Sequence, residues 1–277
     1  MKALITGSTG FIGGHLTAQL GELGWDVQPL ALRGHEVDVR DAEAVHECMR
    51  NVRPDVVFHL AGISGPMVAP SDPGLVAAVN CGGTVNVFEA ARESGASRVV
   101  YASSVSGFDG GSPNCPEPLT VYGASKRFGE AALRAQMGVD ILHTSARIGS
   151  VYGRGRQTLD TLDNMILQAR RDGLVSYAPH GKVPLIHIAD LAAALAALGS
   201  VQVPPETCDL VVEFVGQEVL ATLVAKATGA VAKPSDSNER DLATYPGGFT
   251  SEDVARLVPD RHLTTVAEAL PDMLVAS

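Results

Sequence analysis

The chain has 277 residues, 45% hydrophobic and 19% charged, which is long for one domain of ~150 residues and short for two. This balance is typical of a globular enzyme and argues against a disordered or fibrous chain. The net charge of −10 disfavours nucleic acid and anionic membranes as partners, and apolar runs such as 191–198 are far shorter than the ~18 residues of a membrane span.

Short apolar runs alternate with helical patterns along the first half of the chain. The runs 3–5, 27–32, 56–60, 98–102 and 141–147 predict strands, and the patterns 13–23, 42–50, 75–93 and about 120–137 predict helices. Strands that are apolar on both faces belong in a parallel sheet covered by helices. We therefore predict an α/β fold with a doubly wound parallel sheet, the Rossmann architecture.

A glycine-rich turn lies between the first predicted strand and the first predicted helix. It reads Thr6-Gly7-Ser8-Thr9-Gly10-Phe11-Ile12-Gly13. Gly7 permits a tight turn, Gly10 lets the backbone approach a pyrophosphate, and Gly13 allows close packing of helix on sheet. The helix N-terminus adds amide hydrogens and partial positive charge. We predict a dinucleotide site here rather than a merely structural turn.

A tyrosine and a lysine follow at helical spacing. Tyr122 and Lys126 are four residues apart and share one face of the predicted helix. An ammonium group near a phenol lowers a pKa that ordinarily stands near ~10, so the tyrosine can exchange a proton near neutrality. Ser103 and Ser104 end the fourth predicted strand, where a hydroxyl can hold a reacting oxygen. Together with the glycine turn, these residues indicate catalysis.

The sequence pattern changes after residue 153. A strand at 184–188 and a helix at 191–198 are expected to return to the main core, so residues 1–153 plus 183–200 form the predicted dinucleotide-binding domain. Residues 154–182 plus 201–277 form a predicted small, discontinuous α/β lobe that binds substrate. Arg154 and Arg156, in a loop, could clamp a substrate diphosphate or be ordinary exposed arginines. His187 is expected to be a hydrogen-bonded core histidine.

The chain resembles the extended short-chain dehydrogenase/reductases, often called the NAD-dependent epimerase/dehydratase family. Ordered motifs carry the resemblance over most of the chain. Besides the glycine turn and the Tyr122-x-x-x-Lys126 pair, they are residues 37–41, 54–62, 80–84, 98–104, 147–153 and 186–191.

The resemblance implies roles for individual residues. Ser104 would hydrogen-bond the substrate oxygen, with Ser103 as a possible substitute, Tyr122 would exchange the proton, and Lys126 would bind the nicotinamide ribose and tune Tyr122. Contacts to the cofactor are implied for Gly7, Gly10, Phe11, Ile12 and Gly13 at the pyrophosphate, Asp38 and Val39 at the adenine, and Leu60, Ala61 and Gly62 beneath the cofactor.

Two departures from the family pattern narrow the prediction. Val105 and Ser106 follow Ser104 where the family's dehydratases carry an acidic pair, so dehydration is not expected. The second predicted strand ends in Leu32-Arg33-Gly34 without the acidic residue that would hold the adenosine ribose of NAD. Arg33 could pair with a 2′-phosphate, the alternative being an ordinary loop arginine. We slightly favour NADP(H) over NAD(H) as the cofactor.

The predicted function is an NAD(P)H-dependent oxidoreductase acting on a carbonyl or hydroxyl of a nucleotide-linked sugar. Residues 108–110 and 118–123 resemble nucleotide-sugar 4-ketoreductases of the dTDP-4-dehydrorhamnose reductase type, whereas residues 59–62 and 80–84 look more like epimerases. The alternatives are a UDP-sugar 4-epimerase with tightly bound NAD and a non-catalytic dinucleotide-sensing protein. A uronate, a steroid or a flavonoid-like ketone is an alternative substrate.

The remaining expectations concern partners and location. Helices at 75–93 and 122–135 could pair across a two-fold axis, so we expect a homodimer. The sequence shows no His, Cys and carboxylate cluster with the spacing of a metal site. The first residues predict a buried strand rather than a signal peptide, and four widely spaced cysteines indicate reduced thiols. We expect a cytoplasmic protein.

Overall fold

The computed structural model describes residues 1–63, 72–112, 115–138, 140–156, 158–179, 181–235 and 248–275. Its strands are, in chain order, β1 (Lys2–Thr6), β2 (Asp26–Pro29), β3 (Ala31–Leu32), β4 (His35–Glu36), β5 (Val56–His59), β6 (Arg98–Ser104), β7 (Gly110–Ser112), β8 (Cys115–Glu117), β9 (Leu142–Ile148), β10 (Ser150–Tyr152), β11 (Leu174–Tyr177), β12 (Lys182–His187), β13 (Thr207–Leu210), β14 (Glu213–Gly216) and β15 (Val231–Pro234). Its α-helices are α1 (Phe11–Glu22), α2 (Ala42–Val52), α3 (Pro73–Ala77), α4 (Thr84–Glu93), α5 (Val121–Met137), α6 (Thr161–Asp172), α7 (Ile188–Ser200), α8 (Gln217–Thr228), α9 (Glu252–Leu257) and α10 (Val266–Val275).

The central sheet has six strands in the spatial order β13-β9-β6-β5-β1-β2. All of its strand pairs are parallel, which confirms the predicted fold class. Strand β1 pairs with β2 on one side and with β5 on the other, so the chain changes direction across the sheet at this point. Ligands of doubly wound folds bind in the crevice at the carboxyl ends of the strands that flank such a switch.

Helices cover both faces of this sheet. Leu4 and Val57 point into a hydrophobic cluster with residues of α2, α4 and α5. The neighbouring residues Ile5 and Phe58 point to the opposite face, into a cluster with residues of α1 and α7. Because successive strand residues face opposite sides, burial on both faces requires the continuous apolar runs from which the strands were predicted.

Helix α7 contains the apolar run 191–198. Its residues Leu191, Leu195 and Leu198 are fully buried, so the helix owes its apolar character to its position in the core. Among the helices of the described residues, none has the length and apolar character that crossing a bilayer requires.

Two predicted elements differ from their observed form. The predicted strand 27–32 ends at Pro29, and a hairpin of β3 and β4 follows, with Arg33 and Gly34 at its turn. Both turn residues have positive φ, 52° and 82°, which suits a tight two-residue hairpin. The predicted helix 75–93 is divided, because a π-helical turn, Ala78–Gly83, separates α3 from α4.

The second half of the chain adds smaller sheets. Strand β12 pairs with β10 and β14, and β11 pairs with β15. A third hydrophobic cluster joins α6, α8 and α10, which lie in the residues predicted to form the lobe, and it also includes Val183 and Leu185 of β12, which were predicted for the dinucleotide-binding domain. Strand β13 lies in the range predicted for the lobe but pairs with β9 of the central sheet, so residues 207–210 belong to that sheet. The division into domain and lobe otherwise stays a prediction.

Candidate active site

The glycine turn follows β1 and has the sterically tight form that its sequence predicts. Gly7 has a φ of +68°, and a Cβ on Gly13 would lie 2.1 Å from the carbonyl oxygen of Gly7. Gly10 precedes the first residue of α1. Because glycine has no side chain to cap the helix, the first amides of α1 remain available to an anion. The turn therefore fits the pyrophosphate of a dinucleotide.

A buried hydrogen-bond network holds this turn against the end of β5. The Thr6 hydroxyl accepts hydrogen bonds from the amides of Leu60 (3.1 Å) and Ala61 (2.9 Å) and lies 2.8 Å from Nδ1 of His59. The hydroxyl therefore donates its proton to Nδ1, so Nε2 carries the imidazole proton and donates to the Thr84 hydroxyl at 2.9 Å.

His59 is neutral in this network. Burial, with a smaller contribution from the positive charge of Lys126, lowers the pKa of His59 to about 3. Sequence analysis assigned no function to His59, because a histidine within an apolar strand has no ligand spacing. In the structure, His59 orients the Thr6 hydroxyl, which binds the amides of Leu60 and Ala61 in the segment predicted to lie beneath the cofactor. A threonine immediately before the glycine turn is the sequence signal that could have pointed to this network.

One cavity of about 800 Å³ brings the predicted residues together. Its lining includes the predicted cofactor residues Gly7, Gly10, Phe11, Ile12, Gly13, Leu60 and Gly62. The same cavity is lined by Ser104 from the end of β6 and by Tyr122 and Lys126 from α5. Carboxyl ends of parallel strands meet at one edge of a sheet, which explains why residues so distant in sequence converge here.

Four predicted cofactor residues are not part of this lining. Arg33 is exposed at the hairpin turn, and the backbone of Ala61 packs beneath Gly7. The Asp38 carboxylate binds the Arg40 guanidinium at 2.6 Å, which holds the pKa of Asp38 below its usual range. Val39 is buried, and its side chain fits against Gly83. The predicted adenine contacts of Asp38 and Val39 therefore stay predictions that the geometry of the cavity does not support.

The two adjacent serines have different partners. Ser103 is buried and donates a hydrogen bond of 2.6 Å to Glu130, whose carboxylate also forms a two-pronged ion pair with Arg147 at 2.9 Å. The Ser104 hydroxyl accepts a bond from the Ser106 amide at 3.2 Å and interacts with the Tyr122 hydroxyl. Because the Ser103 hydroxyl is engaged by Glu130, Ser104 is the serine available to a substrate.

The Tyr122 pKa differs from the prediction. We expected Lys126 to lower it, but burial raises the pKa of Tyr122, with opposing contributions from the Ser104 hydrogen bond and from the charge of Arg156. The Lys126 ammonium group lies 5.7 Å from the centroid of the Tyr122 ring and donates to the Ala102 carbonyl at 2.7 Å. The phenol is thus neutral at physiological pH, which is the form that can donate a proton.

Asn80 joins the cavity floor to the helix that carries Tyr122. Its amide oxygen accepts from the Ile63 amide at 2.8 Å, and its amide nitrogen donates to the Ile63 carbonyl and to the Ser125 hydroxyl. Ser125 in turn donates to the carbonyl of Tyr122 at 2.7 Å. The motif at 80–84 is recognisable in the sequence, but the role of Asn80 is not, because these contacts depend on the position of the π-helical turn.

Arg156 lines the cavity on the side of the second half of the chain. Its guanidinium is bound by the Val151 carbonyl and by the Asp160 carboxylate at 2.8 Å. Burial raises the pKa of Asp160, and the charge of Arg156 opposes that rise. Arg154 is exposed and is not part of the lining, so only one of the two candidate arginines faces the space available to a substrate.

The remaining candidate residues, a histidine and the cysteines, do not belong to the group of Ser104, Tyr122 and Lys126. His187 stacks edge-on against Tyr152 and accepts a hydrogen bond at the start of α7, as expected of a core histidine. Cys48, Cys81 and Cys208 are free thiols, and the side chain of Cys115 lies outside the described residues. In the part of the chain that the structure describes, there is no cluster of three His, Cys, Asp or Glu side chains arranged to hold a metal.

Comparison with known protein families identifies the family of this chain. Residues 3–207 match the model of the NAD dependent epimerase/dehydratase family. The chain belongs to this family.

The names of individual relatives denote different activities. The methionine adenosyltransferase 2 subunit beta of Rattus norvegicus is 32% identical over 163 residues, 55% of this chain and 47% of that protein. The dTDP-4-dehydrorhamnose reductase of Streptomyces griseus is 35% identical over 207 residues, 71% of this chain and 64% of that protein. The chain thus spans about half the length of the first of these curated relatives.

A solved structure shows the same fold. The UDP-glucose 4-epimerase of Thermus thermophilus, in complex with NAD, superposes with a TM-score of 0.80 at 24% identity, covering 98% of this chain and 96% of that chain. The two chains therefore share one fold over nearly their full length.

The burial of Lys126 generates a prediction about stability. Burial lowers its pKa to about 8 from the ordinary value of 10.5, so below pH ~8 the folded protein bears the full cost of a buried charge. Lys126→Met removes the charge and should raise the free energy of unfolding at pH 7 by roughly 1–3 kcal/mol. Urea unfolding of both proteins measures this difference.

The stability gained in Lys126→Met should decrease as the pH rises. Between pH 8 and pH 10.5 the unfolded chain binds a proton at Lys126 that the folded wild type has released, so the wild type gains stability relative to the variant and the difference shrinks. Lys126→Arg keeps the charge and serves as the control that shows no gain. A Lys126→Met variant less stable than the wild type at pH 7 would contradict this assignment.

Proposed function

We propose that the protein is an NAD(P)H-dependent oxidoreductase that reduces a carbonyl of a nucleotide-linked sugar, as a 4-ketoreductase. The observation that carries the proposal is the cavity itself, because one space extends from the glycine turn to Ser104, Tyr122 and Lys126. Its volume of about 800 Å³ is that of a small-molecule site. A dinucleotide in the glycine turn and a substrate at Tyr122 would thus share one enclosure.

The chain's own residues supply the proton and the positions. A nicotinamide held by the glycine turn and Lys126 would supply a hydride for the carbonyl carbon. Tyr122, kept neutral by burial, donates its phenolic proton to the oxygen of that carbonyl, which becomes a hydroxyl. The Ser104 hydroxyl, beside the phenol, holds the same oxygen. The Lys126 ammonium group, which donates to the Ala102 carbonyl, would bind a ribose hydroxyl of the cofactor.

Arg156 supports an anionic substrate. Its guanidinium lines the same cavity and is held in place by Asp160. An arginine in a defined orientation suits a phosphate or diphosphate group. This choice is supported by a relative named dTDP-4-dehydrorhamnose reductase and by a solved structure of the same fold, that of a UDP-glucose 4-epimerase.

Reduction and epimerisation use the same three side chains. The similarity to a dTDP-4-dehydrorhamnose reductase at 35% identity favours reduction over the alternative, a UDP-sugar 4-epimerase that retains its NAD. Dehydration is not favoured, because Val105, directly after Ser104, is buried and carries no acid.

A second candidate is a dinucleotide-binding subunit without turnover. The observation that favours it is the 32% identity to a protein named as a subunit of methionine adenosyltransferase 2. The presence of Ser104, Tyr122 and Lys126 in one cavity favours catalysis, since a protein that only binds dinucleotide needs the glycine turn alone.

We also propose that the protein forms a homodimer through α5. Ala124, Phe128, Ala131 and Ala135 are exposed and recur at helical spacing along one face of this helix. The Phe128 side chain is 44% exposed, and Val85 of the neighbouring α4 is partly exposed. Small residues around one aromatic ring allow two helix pairs to approach closely, as the two-fold pairing predicted from the sequence requires.

Removing the phenolic hydroxyl tests the catalytic assignment. Tyr122→Phe should lower kcat by about 10²–10⁴-fold while the Kd for the dinucleotide stays within about threefold, because the proton donor is lost but the cofactor contacts remain. Steady-state kinetics with a nucleotide-linked 4-keto sugar and calorimetric titration give the two values.

Tyr101→Phe is a matched control for this variant. Tyr101 is buried below Lys126, with its ring centroid 5.2 Å from the Lys126 ammonium nitrogen. It is not part of the cavity lining. The control should retain kcat within about threefold. Unchanged turnover in Tyr122→Phe would refute the catalytic role and favour the non-catalytic subunit.

A charge on the exposed face of α5 tests the homodimer. Phe128→Asp places a carboxylate at the centre of the proposed interface and should convert a dimer to a monomer in sedimentation velocity experiments, because burying an unpaired charge is unfavourable. Leu142→Asp, at a residue of similar exposure outside this face (43%), should leave the dimer intact. A monomeric wild type, or a dimeric Phe128→Asp variant, contradicts the proposed interface.

A further inference from the structure

The hairpin of β3 and β4 brings an acidic side chain to the glycine turn. Strand β2 ends at Pro29, and the chain then forms a hairpin in which Ala31 pairs with Glu36 and Leu32 pairs with His35. The two-residue turn, Arg33 and Gly34, has positive φ at both positions, which fixes the register of the hairpin.

The register of the hairpin determines which of its side chains face the glycine turn. Leu32 packs against the hydrophobic cluster that includes Val39 and Val45. Because successive residues of a strand point to opposite faces, the pair Ala31 and Glu36 points away from that cluster. Glu36 is exposed, and its position is set by the pairing of the hairpin rather than by burial.

The Glu36 carboxylate lies against Thr9. The Thr9 hydroxyl donates to the two carboxylate oxygens at 3.1 and 3.4 Å. Thr9 stands between Gly7 and Gly10 and lines the cavity. Glu36 is not part of the lining, but through Thr9 its negative charge adjoins the glycine-turn end of the cavity, where the proposed function puts a dinucleotide.

Unlike Glu36, the basic side chains of Arg33 and Arg40 do not hydrogen-bond to Thr9. Arg33 stands at the tip of the hairpin, and the contact with Thr9 is made by Glu36. The guanidinium of Arg40 forms its ion pair with both carboxylate oxygens of Asp38 rather than with a residue of the glycine turn. The charge that directly adjoins the glycine turn is thus negative.

We propose that Glu36 selects NAD(H) over NADP(H). This inference rests on the proposed function, since it assumes that a dinucleotide occupies the glycine turn. A carboxylate can accept hydrogen bonds from the vicinal hydroxyls of the adenosine ribose, and it repels a phosphate group on the 2′ oxygen. Glu36 would thereby perform the role of the acidic residue that is absent from the end of the second strand.

The assignment reverses the preference for NADP(H) that the Arg33 position suggested. From sequence, Arg33 stands where an acidic residue would hold the ribose, and Glu36 lies three residues further on. In the hairpin, Arg33 lies at an exposed turn and Glu36 lies against Thr9. The residue that contacts the glycine turn is therefore Glu36 and not Arg33, which the sequence spacing indicates.

Isothermal titration of NAD⁺ and NADP⁺ against three proteins tests the inference. The proteins are the wild type, Glu36→Gln, which keeps the shape and a hydrogen-bond acceptor for Thr9 but removes the charge, and Arg33→Gln, which removes a charge from the same hairpin. The wild type should bind NAD⁺ at least about tenfold more tightly than NADP⁺. Glu36→Gln should reduce that ratio about tenfold, chiefly by tightening NADP⁺, and Arg33→Gln should keep it within about threefold.

The outcomes separate this inference from the proposed function. A wild type that prefers NADP⁺, a ratio unchanged in Glu36→Gln, or a larger change in Arg33→Gln overturns the inference, while dinucleotide binding itself still supports the proposed function. Failure of the wild type to bind either dinucleotide overturns the proposed function and the inference with it. Circular dichroism of each variant verifies that a lost affinity does not arise from unfolding.

Discussion

The Thr6 hydroxyl fixes the two strand ends between which the cavity opens. It accepts the amides of Leu60 and Ala61 and donates to His59, and so joins β1 to the chain beyond β5 at the switch point of the sheet. The glycine turn begins at the next residue, and the segment that underlies the cavity begins at Leu60. The position of a cofactor relative to Tyr122 therefore depends on this buried contact.

Several buried polar groups around the cavity have hydrogen-bond partners. Asn80 binds the Ile63 backbone and Ser125, and Glu130 binds Ser103 and Arg147. Lys126 differs because it carries a buried charge, and burial lowers its pKa to about 8. The ammonium group is stabilised by the Ala102 carbonyl and by the rings of Tyr101 and Tyr122. Such a group reduces stability and is retained where a bound ligand uses its charge.

Much of this arrangement could be predicted from the sequence, because local patterns determine it. Apolar runs identified five strands of the central sheet, and the glycine turn and the residues Ser104, Tyr122 and Lys126 were recognised by spacing and resemblance. The sixth strand, β13, was missed because it pairs at the sheet edge through contacts distant in sequence. The sign of the Tyr122 pKa shift and the contact of Glu36 with Thr9 depend on burial and on hairpin register, which no local pattern determines.

Under the proposed function, hydride and proton reach one substrate carbonyl inside one cavity. Incubation of the wild type with NADH deuterated at the transferring position and a nucleotide-linked 4-keto sugar, followed by mass spectrometry of the products, tests this claim most directly. We expect one deuterium on the carbon of the former carbonyl for each NADH oxidised. An unchanged sugar with no oxidation of NADH or of NADPH under the same conditions would contradict the account.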